Sequence, residues 1–153
     1  MLTIADILDP SRIDLNLKTM REEEAIFHVA SLLKDDRRVN DWNVFYASLN
    51  SKNSRIAEEP GFEICIPHAR TSAVKEMVMS VGRSMPASSP VGATAKTQYI
   101  FVIGLPAALA ADYLRVIGAI ARVFKDARVE AQLRSAAQPE EFLAILASGE
   151  MSF

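Results

Sequence analysis

Cysteine occurs once in this chain, at Cys65, and histidine only twice, at His28 and His68. One thiol excludes an intrachain disulfide framework, and so few soft ligands make no zinc-binding pattern, so neither a disulfide scaffold nor a metal centre is expected. Long hydrophobic runs are also missing. Half of the residues are hydrophobic, yet Asp, Glu, Lys or Arg interrupts every extended apolar stretch well before the roughly 20 residues that a bilayer-crossing helix needs. The first residues carry no basic segment leading into an apolar core, which excludes a secretory signal and points to a cytoplasmic protein that is not membrane-embedded. Positive charge is not in excess: 17 Lys and Arg stand against 19 Asp and Glu, so a nucleic-acid partner has no electrostatic support. Repeats are absent too. At 153 residues the chain is expected to form one domain over residues 1–153 and to bury roughly two-thirds of its unfolded surface.

What is present alternates between strand and helix patterns. Thr3 to Leu8 fits one helical turn before Pro10, and Ile13, Leu15 and Leu17 then alternate with Asp14 and Asn16, as in a half-buried strand. Thr19 with Glu22 forms a capping box for a helix running to about Lys34. Within that helix His28 reads as an ordinary residue. Asp41 is a plausible N-cap for a second helix carrying Trp42, Val44, Phe45 and Leu49, and the polar stretch from Asn50 to Gly61 reads as a loop. Met77 to Gly82 and Gln98 to Leu105 read as strands, the second apolar on both faces and therefore central. Leu109, Tyr113, Val116, Ile117, Ile120 and Phe124 recur at helical spacing, with Gly118 placed to admit close packing, and 129–136 and 139–146 read as two closing helices.

One stretch concentrates the chemistry. Phe62, Ile64 and Ile66 share a face at the period of a strand, Pro67 ends the run, and His68 and Arg70 follow at once. The proline places His68 just beyond the sheet edge, held by buried strand but free to meet a partner. A neutral imidazole nitrogen is a nucleophile toward phosphorus, and the phosphoryl-imidazole passes its group on. Arg70 is placed to pair with phosphate oxygens. The spacing alone fits better a strand-end histidine bonded to a carbonyl beside a solvated arginine.

The order Ile66-Pro67-His68-Ala69-Arg70, followed by Thr71 to Glu76, resembles the active-site segment of the fructose, mannitol and nitrogen-type EIIA domains of the bacterial phosphotransferase system. Ile4 to Ile13 with Leu17-Lys18 and Glu22 to Ala25 resemble the opening of those domains, and Tyr99 to Phe124 and Pro139 to Phe142 resemble their later segments. The resemblance implies an α/β sandwich: a single domain with a central mixed β-sheet flanked by helices on both faces. It implies that His68 accepts a phosphoryl group from an HPr-like phosphocarrier protein and donates it to an EIIB or uses it toward a regulatory target, with no metal or bound cofactor.

The chain departs from that family at two places. Where relatives carry an arginine upstream of the histidine it has Lys52, a point charge without a bidentate fork. Where they carry a glycine-containing motif it has Ala57-Glu58-Glu59-Pro60-Gly61, two of whose carboxylates would repel an incoming phosphate if they lay near His68. The resemblance puts Tyr113 where relatives often have a second histidine. A phenol there is either one hydrogen-bond donor to a transferring phosphate or an amphipathic core residue with a wet hydroxyl. These departures leave open a non-catalytic EIIA-like protein-binding module with impaired or absent phosphotransfer. A centre built on Cys65 and His68, a thiol hydrolase or a metal site, is the third and most remote reading.

Overall fold

The strand Thr97–Leu105 has all but one of its nine residues buried, because both faces of its β-branched and aromatic run are covered and both edges are paired. The structure, a computed structural model, describes residues 3–18, 21–49, 55–59, 61–85 and 96–148. Its strands are β1 (Ile13–Leu17), β2 (Arg55–Glu59), β3 (Phe62–Cys65), β4 (His68–Arg70), β5 (Val78–Ser84) and β6 (Thr97–Leu105). They form one sheet in the order β1-β5-β6-β3-β2, with β4 paired to β6 beyond the end of β3. Parallel pairs (β1 with β5, β3 and β4 with β6) and antiparallel pairs (β5 with β6, β2 with β3) make it mixed.

Helices cover both faces. Against one lie α1 (Ile4–Ile7), α4 (Ala110–Lys125), α5 (Ala127–Ser135) and α6 (Pro139–Ser148), which bury Ile64, Ile66, Tyr99, Phe101 and Ile103. Against the other lie α2 (Glu22–Ser31) and α3 (Trp42–Ala47), over Ala69, Val78, Ile100 and Val102. Leu17 belongs to this second core although Leu15 belongs to the first, because an irregularity in the β1–β5 register between Asp14 and Leu17 reverses the alternation. Glycine is required where the second layer comes closest. A Cβ at Gly82 would stand 2.4 Å from Val29 and one at Gly104 2.8 Å from the Phe45 ring.

Several expectations need correction. Residues 55–59 form the edge strand β2 rather than loop, since the hairpin pairs Arg55 with Cys65 and Glu59 with Phe62. Pro67 interrupts the histidine strand without ending it, as described below. α2 stops at Ser31, where amides begin to bond three residues back, Leu33 to Ala30 and Lys34 to Ser31, and the turn tightens. Thr19, the expected cap, lies outside the described residues, and Arg21 occupies the N-cap without a side-chain bond to the helix amides. Asp41 does cap α3, accepting from the Val44 amide at 3.2 Å, but Val44 itself is exposed while Phe45 fills the core. Gly118 admits no close neighbour: a Cβ there would meet only the Arg122 guanidinium, at 3.4 Å.

Candidate functional site

Ile64, Cys65 and Ile66 are completely buried, so the chain arrives at Pro67 rigidly held. Proline has no amide to donate, yet its carbonyl accepts from the Ile103 amide at 3.0 Å, and pairing with β6 resumes at His68↔Ile103 and continues to Arg70↔Leu105. His68 therefore stands inside the sheet at the start of β4, not beyond its end. β2 reaches only as far as Cys65, so among the described residues β4 has no neighbour on its other edge, and the site opens there.

The His68 ring is partly buried and stacks on Tyr113, in the first turns of α4, with ring centroids 4.1 Å apart and planes 28° apart. Two oxygens meet the same nitrogen: Nδ1 lies 3.1 Å from the Ile66 carbonyl and 2.8 Å from the Tyr113 hydroxyl. A carbonyl only accepts, so the first contact is a hydrogen bond only when Nδ1 carries the proton. That tautomer leaves the lone pair on Nε2, which has no hydrogen-bond partner among the described residues. Burial pushes the Tyr113 phenol up to about 12, so it stays neutral across the physiological range.

Alternation places Arg70 on the same side of the strand as His68, with Ala69 between them buried in the opposite core, and Arg70 is exposed. Lys52 lies outside the described residues. Glu58 and Glu59 have their backbones opposite Glu63 and Phe62, at the end of the hairpin remote from His68. At about 3.3 Å per residue, the five residues from Glu63 to His68 put Glu58 roughly 16 Å away along the strand. Cys65 points into the layer of α2, its thiol donating to Glu22 at 3.3 Å, whereas His68 faces α4. The two cannot share a reacting atom, and among the described residues no group of three His, Cys, Asp or Glu stands close enough to hold a metal ion. His28 is paired with Asp14 at 2.8 Å, in keeping with an ordinary surface position. The Ile66 carbonyl, two residues before the ring on the same strand path, gives His68 the backbone contact of a strand-end histidine that the spacing already allowed.

A concavity of about 540 Å³ lies between α1 and the turn 35–38, and Arg12, Asp35, Asp36 and Arg38 in its wall are paired with one another. The Arg38 guanidinium forks onto Asp36, holding that carboxyl below the usual range, and Arg12 bonds Asp35 at 2.7 Å. His68 lines no part of it.

Residues 6–149 match the family model described as phosphoenolpyruvate-dependent sugar phosphotransferase system, EIIA 2. The chain belongs to this EIIA family. A fructose-specific EIIA component of the phosphotransferase system from Haloferax volcanii is 28% identical over 145 residues, 94% of either chain. The fructose-specific EIIABC component from Bacillus subtilis is 26% identical over 83 residues, which are 54% of this chain and 13% of that longer protein. Among solved structures, the nitrogen regulatory protein IIA-Ntr from Neisseria meningitidis superposes with a TM-score of 0.73 at 21% identity, covering 94% of this chain and 98% of that one. The mannitol IIA of Escherichia coli, solved in complex with phosphorylated mannitol IIB, gives 0.68 at 15% identity over 93% and 99% of the two chains. At these identities the structural likeness establishes the fold: the EIIA arrangement of a mixed sheet with helices on both faces. No helix among the described residues is long and apolar enough to cross a membrane.

Proposed function

We propose that this EIIA domain is a phosphoryl carrier whose nucleophile is Nε2 of His68. The observation that supports this most directly is the division of labour on one ring: two oxygens contact Nδ1, while Nε2 has no hydrogen-bond partner among the described residues. The donor is an HPr-like phosphocarrier protein in the cytoplasm. Nε2 attacks phosphorus in line, the donor nitrogen leaves with the electron pair of the broken P–N bond, and the product is a phosphoimidazole still protonated on Nδ1. The group then passes to an EIIB-type acceptor, or the phosphorylated state serves as a signal to a regulatory target. Exchange between two positioned side chains relies on alignment and charge, so the reading requires no metal or cofactor. Arg70, and Lys52 from the segment before β2, supply positive charge to the phosphoryl oxygens. Tyr113 contacts the ring from the N-terminal end of α4, the positive end of the helix dipole.

A second reading has an observation of its own. The site holds a single imidazole, because the other histidine, His28, sits on α2 across the sheet, paired to Asp14. This favours a binding module that keeps the fold and transfers phosphate poorly or never. Incubation with a phosphorylated HPr-like carrier separates the two: acid-labile phosphate on the wild type that disappears in His68→Ala supports the carrier, and none on either protein leaves the binding module.

A further inference from the structure

The tautomer of His68 also bears on Tyr113. Nδ1–H has one proton and two oxygens within reach, the Ile66 carbonyl at 3.1 Å and the Tyr113 hydroxyl at 2.8 Å. With the proton on Nδ1, the phenol oxygen can only accept from it, and the phenolic hydrogen points elsewhere. Tyr113 is thus bonded to the nitrogen opposite the proposed nucleophile, not aimed at the phosphoryl group.

Resting on the carrier reading above, we infer that Tyr113 is a positioning residue that holds the Nδ1 proton of His68 and thereby sets how readily a phosphoryl group on Nε2 leaves. In the release step the Nε2–P bond breaks and its electron pair returns to Nε2. A P–O or P–N bond forms to water or to an acceptor side chain, and the ring departs as neutral imidazole because Nδ1 kept its hydrogen. Without that hydrogen the leaving group would be an imidazolate anion, and release would be far slower. Two acceptors on Nδ1–H hold the hydrogen on the ring in the form from which the phosphoryl group leaves. The charged groups on the surrounding elements are few. Arg70 lies on β4, and Asp112 and Arg115 on α4 pair with each other at 3.7 Å; β6 from Ile100 to Leu105 carries none. Burial keeps Tyr113 itself from ionising below about 12, so the acceptor does not change state across the working range.

Two measurements on intact protein test this. Long-range 1H–15N spectra of the unmodified protein report which ring nitrogen of His68 bears hydrogen. The wild type is expected in the Nδ1–H form, and Tyr113→Phe, which keeps the stacked ring and loses only the oxygen, is expected to gain Nε2–H form. Protein phosphorylated with phosphoramidate is then followed by 31P resonance as it loses phosphate. The pH profile of the variant should move down by about one unit, giving roughly tenfold slower release on the alkaline side. Identical tautomers and superimposable profiles in wild type and variant would overturn the inference while leaving His68 as carrier. Failure of the wild type to accept phosphate from either phosphoramidate or carrier protein would sink the carrier reading, and the tautomer spectra would still decide what Tyr113 does.

Discussion

Tyr99 and Tyr113 lie on the same side of the sheet and both end in a hydrogen bond to an ionisable partner, yet the two phenols are used in opposite ways. Tyr99 is completely buried, and its hydroxyl donates to the Glu130 carboxylate at 2.8 Å while Arg134 bonds both oxygens of that carboxylate. Burial first, then the bond to and charge of Glu130, push its ionisation far above the ordinary value of 10. Tyr113 is only partly buried, its upward shift comes from burial alone, and its neighbour is an imidazole whose nearer nitrogen already faces a carbonyl. A carboxylate can only accept, so the Tyr99 hydroxyl must donate. A protonated Nδ1 can only donate, so the Tyr113 hydroxyl must accept. The role of each phenol is dictated by its partner, and burial decides whether that role is spent on stability or left available for chemistry.

The largest effect that separates the two regions should come from Glu130→Ala. Glu130 is 5% exposed and satisfies both Tyr99 and Arg134, so its removal strands a buried hydroxyl, while Arg134 can turn to water. Hydrogen bonds to charged groups in such settings are worth about 1.5–3 kcal/mol each, and a loss of about 2–3 kcal/mol is expected in urea unfolding, with His68 phosphorylation in the folded fraction unchanged. A loss below about 0.5 kcal/mol would mean that the interior network is not the structural half of the comparison. Tyr99→Phe comes next, at about 1 kcal/mol near neutral pH, with a signature in alkali. A phenol whose folded ionisation lies above its unfolded value of about 10 contributes stability that is complete below pH 10 and is lost as pH rises further. The wild type should therefore weaken steeply above pH 10, and Tyr99→Phe less steeply.

The sheet and its order of elements were legible because period-two and period-3.6 patterns are strong where burial is complete. Gln98 to Leu105 reads as a central strand since nothing polar interrupts it, and 129–136 and 139–146 read as helices that the structure places at Ala127–Ser135 and Pro139–Ser148. Short edge elements were not legible. Residues 55–59 carry too few apolar side chains to announce a strand, and they form one because β3 offers them a ladder. Val44 and Phe45 could not be ranked by type, because the rotation of a six-residue helix decides which is covered. At the site, the resemblance to EIIA domains pointed to His68 and Tyr113 as neighbours, and the spacing allowed a histidine bonded to a backbone carbonyl. Which carbonyl it is, and that the phenol meets the same nitrogen, required coordinates, because a backbone acceptor has no letter in the sequence.

The smallest stability effect belongs to Tyr113→Phe, and its smallness is what makes the comparison sharp. The lost bond is at a partly solvated rim, Nδ1–H retains the Ile66 carbonyl, and the stacked ring remains, so the cost near neutral pH should be about 0.5 kcal/mol or less. In alkali the sign follows from the upward shift: the folded phenol holds its proton to about 12 against about 10 unfolded, so its contribution persists up to pH 10 and fades between 10 and 12. The variant, with no phenol to ionise there, should lose slightly less stability over that interval than the wild type, and less than the difference made by Tyr99→Phe. Thermal melts of the three proteins from pH 7 to 11.5 read all of this together. Should Tyr113→Phe cost as much as Tyr99→Phe, the rim phenol would be a structural tie like the interior one, and its bond to His68 would follow from the fold's needs rather than from those of the histidine.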